Sequence, residues 1–145
     1  MRAHYEWTDS DRMTKKPIKL NTPIQPTTMT NVAKSVYYFG FYLLALGITL
    51  VFAPNMLLSM FGFEPTTEVW IRVLGTVVFN LGLYYVFTAP TNNETFFKVT
   101  VYTRLLILVW FTLFVVLGWA KPILLMFGGA DFLGAAWTWS ALRKA

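Results

Sequence analysis

The sequence predicts an all-α integral membrane protein: a bundle of four transmembrane helices, a short interfacial helix between the first and second, and an extended polar N-terminal arm. Three observations carry this. Of 145 residues, 56% are hydrophobic and 13% charged, roughly half the ~25% charge of an average soluble domain. The 18% aromatic share adds apolar surface that a single domain of this length has too small an interior to hide. The apolar residues also fall in four long runs, unlike the shorter alternating strands of a membrane barrel.

Residues 1–35 form the arm. It holds Arg2, Arg12, Lys15, Lys16, Lys19 and Lys34 against Glu6, Asp9 and Asp11, with Pro17, Pro23 and Pro26 opposing helix. No short apolar run with a small-residue cleavage site is present, so a cleaved signal peptide is not expected. Met13 and Met29 are alternative starts. An arm of this composition is ordered only when something holds it, which points to a protein partner.

The membrane domain is expected over 36–142, with spans at about 36–53, 69–89, 97–119 and 121–142 and a cytoplasmic tail at 143–145. Val36 to Ala53 carries no charge; the later stretches carry Arg72, Arg104 and Asp131 in turn. Each is on the order of 20 residues, enough to cross ~30 Å of hydrocarbon as a helix. Lys and Arg gather in the arm, at Lys98 and at Arg143 and Lys144, while Pro54 to Glu68 has none. The positive-inside rule then puts both termini on the cytoplasmic side of the inner membrane. Trp70 and Trp119 fall at the outer boundary, and Tyr37, Tyr38, Tyr84, Tyr85, Trp137 and Trp139 at the inner one, where amphipathic rings settle. Asn93-Glu94-Thr95 matches a glycosylation acceptor but lies inside in this topology.

The connection Pro54 to Phe63 is too apolar for a free loop. Pro54 suits a first helical turn and Gly62 a C-terminal cap, which predicts a short interfacial helix, either an anchored connector or a lid over a cavity. Small residues let membrane helices approach. Gly40 and Gly47 in the first span and Gly75 and Gly82 in the second share one face each at spacing seven. Ala130, Gly134 and Thr138 make a third stripe. Both Gly40-x6-Gly47 and Gly75-x6-Gly82 run on to Phe, Ala and Pro, a faint sign of internal duplication.

Charges in hydrocarbon are costly and read by default as functional. Rise per residue puts Asp131 and Asn80 near the midplane, with Arg104 displaced toward the cytoplasm. The expectation is a buried polar cluster in which Arg104 and Asp131 pair, with Asn80 or the Trp110 indole N–H completing the hydrogen bonds. It serves either as a register-fixing ion pair or as a polar pocket or relay. Glu68 and Arg72, at spacing i, i+4, are expected to pair at the outer boundary.

Several chemistries are excluded. Without Cys there is no disulfide, thiol or cysteine-zinc chemistry. The single His, His4, leaves no histidine pair for a haem and no di-iron set. Ser59 and Ser140 have no base near them in sequence, and Gly128-Gly129 lacks the Lys of a phosphate loop. No catalytic residue, metal site or nucleic-acid role is expected. The net charge of +5 sits where topology and anionic lipid account for it.

Helix 1 ending in Ala53-Pro54 and leading to Leu57-Leu58-x-x-Phe61-Gly62, then Trp70-x-Arg72-x-x-Gly75 and Gly82-x-Tyr84-Tyr85, then Arg104, then Asp131-x-x-Gly134-Ala135-x-Trp137-Thr138 form a pattern. It resembles the DoxX-like group of small four-helix membrane proteins, with its BphX-like relatives, over about residues 33–142. The resemblance implies a four-helix fold, and that some relatives are subunits of quinone-linked membrane oxidoreductases and others assembly factors. It implies no redox activity here, because no redox ligand is present.

The function expected first is that of a non-catalytic accessory or scaffold subunit of a larger membrane complex, respiratory or photosynthetic. It would touch other subunits through the arm and its aromatic faces. No intrinsic cofactor is expected; a bound lipid, quinone or carotenoid would come from neighbours. The alternative is a small lipophile- or quinone-binding protein or transporter with a polar midplane pocket, which requires a cavity reaching Asn80, Arg104 and Asp131. Quinone enzymology with a partner's cofactor is the third.

Overall fold

The computed structural model describes residues 28–144, and within them every regular element is helical. Helix α1 (Asn31–Phe52) starts at Thr30, whose hydroxyl accepts from the Ala33 amide at 3.1 Å, satisfying one of the free donors of a first turn. Its start lies inside the stretch expected to be arm. Residues 1–27, with His4, Met13 and the partner contact expected of the arm, lie outside the described residues.

Pro54 ends α1 and opens α2 (Pro54–Met60), occupying the first-turn position where its missing N–H costs nothing. Gly62 stops α2 with φ +66°, and the Phe63 amide reaches back to the Leu58 carbonyl at 2.9 Å, a Schellman closure that needs a left-handed residue. Helix α3 (Val69–Thr88) runs into a single 3-10 turn (Ala89–Thr91). Asn92 in the left-handed region turns the chain, and the Asn93 side chain caps α4 (Glu94–Val116) by accepting from Phe96 N at 3.0 Å. Asn93 of the glycosylation-like tripeptide is thus a helix cap. Gly118, φ +73°, closes α4, and a second 3-10 turn (Pro122–Leu124) leads into α5 (Leu125–Leu142).

Among the described residues, three segments are long and apolar enough to cross a membrane: Asn31–Phe52, Val69–Thr91 and Glu94–Val116. They mark the chain as a membrane protein. Helix α5 has 18 residues and is diluted by Asp131, three glycines and two tryptophans, which explains why its hydropathy alone does not single it out.

The helices associate as two pairs. α1 packs on α3 and α4 on α5, α5 also meets α1, and α3 and α4 are not packed on each other. The α1–α3 seam is the glycine zipper expected from spacing. A methyl group added at Gly47 would stand 2.6 Å from Phe79 N; at Gly75, 2.9 Å from Val51 N; at Gly40, 3.1 Å from Val86 N; and at Gly82, 2.9 Å from Leu44 N. At Gly47, Gly75 and Gly82 the facing backbone lies under 3.0 Å from the added atom, closer than a side chain tolerates.

The core lies where α1 begins: Val32, Ala33, Val36 and Leu43 with Tyr85, Ala89 and Phe97. Asn92 ties this end, its Oδ1 accepting from Thr30 N at 3.1 Å and Thr30 Oγ1 at 3.0 Å. At the other end Phe61 packs on Phe127 with centroids 4.3 Å apart, and Lys121 Nζ donates to the Gly62 carbonyl at 2.8 Å. Because Phe127 near the start of α5 sits by α2 while Thr138 near its end touches Ser35 of α1, α5 runs the length of the bundle antiparallel to α1. Tyr38 and Trp137 stack at 6.3 Å near the latter end. Tyr84, Trp70 and Trp119 are exposed, whereas Tyr85 is only 5% exposed and belongs to the core.

Arg72 does not pair with Glu68. Its Nη1 donates instead to the carbonyl of Val51. The last carbonyls of α1 have no helical partners, and a cation there satisfies one of them while opposing the helix dipole. A solvent-facing pair with Glu68 offers less. Arg72→Gln is therefore expected to cost about 0.5–1 kcal/mol, read as a lower unfolding midpoint in detergent, while Glu68→Gln leaves the midpoint in place.

Candidate functional site

Between the two helix pairs lies a cavity of about 560 Å³, within the few hundred to a thousand cubic ångströms usual for small-molecule sites. Leu43, Leu46 and Leu50 of α1, Leu74 and Val78 of α3 and Ile107 and Phe111 of α4 build its walls, and Phe127 of α5 joins them. Leu57 and Leu58 of α2, with Phe61 and Phe63 beyond it, line the end away from the core. The short helix therefore forms part of the container. The polar side chains in the lining are Arg104, Asp131 and Thr103, with the phenols of Tyr42 and Tyr85.

The cavity exists because the pairs are built differently. α1 and α3 are drawn together by four glycines, and Leu43, Leu46 and Leu50 of α1 with Leu74 of α3 line the space beside the seam. α4 and α5 meet elsewhere, and only at the core end does α5 reach α1. There the side chains are small: Gly134, Ala135 and Thr138 of α5 are buried, as is Ser35 of α1.

Arg104 stands at that junction, 1% exposed. Its Nη1 donates to Thr138 Oγ1 at 3.2 Å; the Thr138 hydroxyl donates to the Gly134 carbonyl at 2.9 Å. The Ser35 hydroxyl donates to the Val32 carbonyl at 2.7 Å and lies 3.0 Å from Thr138 Oγ1. The ring of Phe39 covers the guanidinium face with its centroid 3.8 Å from Cζ, and Tyr85 lies at 5.1 Å, a cation–π arrangement strengthened by desolvation. A Cβ at Gly134 would fall 2.6 Å from the Phe39 ring and 3.2 Å from Nη1, so glycine is what lets the ring and the cation lie against α5.

Nε and Nη2 of Arg104 are buried and have no hydrogen-bond acceptor among the described residues. The expected ion pair with Asp131 is not made: among the described residues the ion pair is Lys98 with Glu94, at 2.6 Å on the surface of α4. Asp131 is partly buried and lines the same cavity, one turn of α5 away from Gly134 and two from Thr138. The two charges share a wall without touching. Thr138 accepts from the guanidinium on one side, and the Phe39 ring covers its face.

Asn80 and Trp110 do not join the cluster. Asn80 is on the exposed face of α3, and Trp110 is 49% exposed and packs on Phe114 of its own helix. Both face outward: Asn80 lies five residues from Gly75 and two from Gly82, off the glycine stripe. The residues that do surround Arg104, Ser35, Phe39, Tyr85 and Thr138, are only partly foreshadowed. Thr138 was in the Ala130-Gly134-Thr138 stripe, and Asp131, Gly134 and Thr138 recur at three and four, the helical face repeat. Nothing in the sequence ties Ser35 or Phe39 to Arg104 across helices. No group of three or more metal-ligating side chains comes together among the described residues.

Against models of known families, proteins of known function and solved structures, the chain finds no match.

Proposed function

We propose that this chain is a small integral membrane protein that binds a lipophilic molecule in the cleft between its helix pairs. The observation that carries the reading is the 560 Å³ cavity with hydrocarbon walls and Arg104 and Asp131 at its polar end. An apolar chamber with a few convergent polar groups is the usual form of a small-molecule site, and a charge kept inside a membrane bundle is costly enough to need a purpose.

In this reading α5 is the fourth span, supported by its course along the whole bundle. Both termini face the cytoplasm, as the distribution of Lys and Arg requires. Helix α2 lies in the outer interface and closes the chamber toward that side. Kinship with the DoxX-like proteins belongs to the same proposal. It is supported by the way Arg104 and the segment from Asp131 to Thr138, which carry the resemblance, meet at the site. In this reading the chain is a binding protein, and a role as accessory subunit of a larger complex would use the same pocket to hold that complex's lipid, quinone or carotenoid.

The test is extraction. Protein purified in mild detergent and analysed by native mass spectrometry should carry one lipophile per chain. Leu46→Trp, which fills the chamber, should lose it, and Val77→Trp, on the exposed face of α3, should keep it. Equal lipid content in all three proteins would leave only annular lipid and remove the reading.

A further inference from the structure

We propose that the ligand of this cleft is a single-chain amphiphile whose head is an anion presenting two oxygens in one plane, with a fatty-acid carboxylate as the best fit. This rests on the lipophile-binding reading above and adds the chemistry of the head group. The guanidinium of Arg104 has three edges. One is engaged through Nη1 with Thr138, and its face is covered by Phe39. The two nitrogens left without an acceptor, Nε and Nη2, are the pair whose N–H bonds run parallel on one edge. That edge meets a carboxylate or a phosphate with two parallel hydrogen bonds.

A residue 1% exposed whose Nε and Nη2 are covered as well as unmatched is an incomplete site, which an anion reaches when the side chains over that edge move aside. Burial without a matching acceptor is costly for a charged donor, and the matching anion offsets that cost. A neutral carbonyl, as in a quinone, accepts at one point and leaves the second donor unpaired. Asp131 lines the same cavity, so its negative charge works against an incoming anion and limits how tightly the anion is held. The tail then lies along Leu43, Leu46, Leu50 and Leu74.

The experiment uses the full chain in detergent, stripped of lipid, with the fluorescent neutral ester methyl cis-parinarate as pocket probe and Leu46→Trp as the control for probe bound elsewhere. Oleate, methyl oleate and oleoyl lysophosphatidate are compared as competitors. Two charge-assisted hydrogen bonds are expected to make oleate at least about tenfold more effective than methyl oleate. Arg104→Gln should bring that ratio near one, Arg104→Lys should lower it severalfold because an ammonium lacks the fork, and Asp131→Asn should raise it. Lysophosphatidate outcompeting oleate assigns the same edge to a phosphate monoester.

Oleate and methyl oleate competing equally against a probe that Leu46→Trp excludes would overturn the anionic head and leave the lipophile pocket standing. An undiminished ratio in Arg104→Lys would overturn the bidentate edge. A probe that binds the wild-type chain and Leu46→Trp alike would instead overturn the pocket. The wild-type ratio needs no variant, so a poorly folding Arg104 substitution leaves the test intact.

Discussion

Gly47→Leu is expected to separate α1 from α3 and to cost at least about 3 kcal/mol, the upper end of overpacking, seen as a large fall in the midpoint of thermal or SDS unfolding. The reason is the identity of the obstructing atoms. A Cβ at residue 47 would meet Phe79 at its backbone N, Cα and Cβ, at 2.6 to 2.8 Å. A clash with a flexible tip is relieved by a rotamer change, but a clash with a helix backbone moves the helix. The seam is continuous with Gly75, whose own added Cβ would stand 3.0 Å from the Gly47 carbonyl, so relief at one position tightens the other. Gly129 in α5 is the control: a Cβ there meets nothing within 4 Å, and Gly129→Ala should be neutral or stabilise by up to about 1 kcal/mol through helix propensity. Equal tolerance of Gly47→Leu and Gly129→Ala would mean that the glycine seam does not hold the pair.

The seam shows what a sequence of this kind discloses. Gly40, Gly47, Gly75 and Gly82 are legible because close helix approach has one requirement, the absence of a side chain, and a helix repeats its face at a fixed spacing. Pro54 and Gly62 are legible for a similar reason: each has a backbone property that permits one role and prevents others. The polar cluster was legible only in depth. Counting residues puts Asp131 and Asn80 near the midplane with Arg104 displaced toward the cytoplasm, but whether a side chain faces inward depends on rotation about the helix axis. In α4, where apolar residues are on all sides, the pattern does not report that rotation. Arg72 was misplaced because the local i, i+4 partner is visible in sequence, whereas the open carbonyl of Val51, 21 residues away, becomes available only once α1 ends at Pro54 beside α3.

Arg104→Met is expected to raise stability while abolishing selective binding of an anionic amphiphile. In water-soluble proteins, replacing buried charges by apolar side chains of similar volume is often neutral or stabilising by about 1–4 kcal/mol. Here the argument is stronger, because Arg104 is buried with one hydrogen bond and two nitrogens unpaired. The sulfur and methyl of methionine would occupy the space beside Phe39 at no desolvation cost, and sulfur–aromatic contact would partly replace the cation–π contact. Thr138 and Ser35 keep their partners, since Thr138 still donates to Gly134 and Ser35 to Val32. A residue retained only for register should behave in the opposite way, with its removal loosening the contact between α4 and α5. The measurement is therefore a pair: unfolding midpoint and the oleate-to-methyl-oleate ratio on the same protein. A higher midpoint with a ratio near one identifies a group kept for its ligand at the expense of the fold. A midpoint several degrees lower would assign Arg104 to architecture, and the cavity beside it would lose its head-group site.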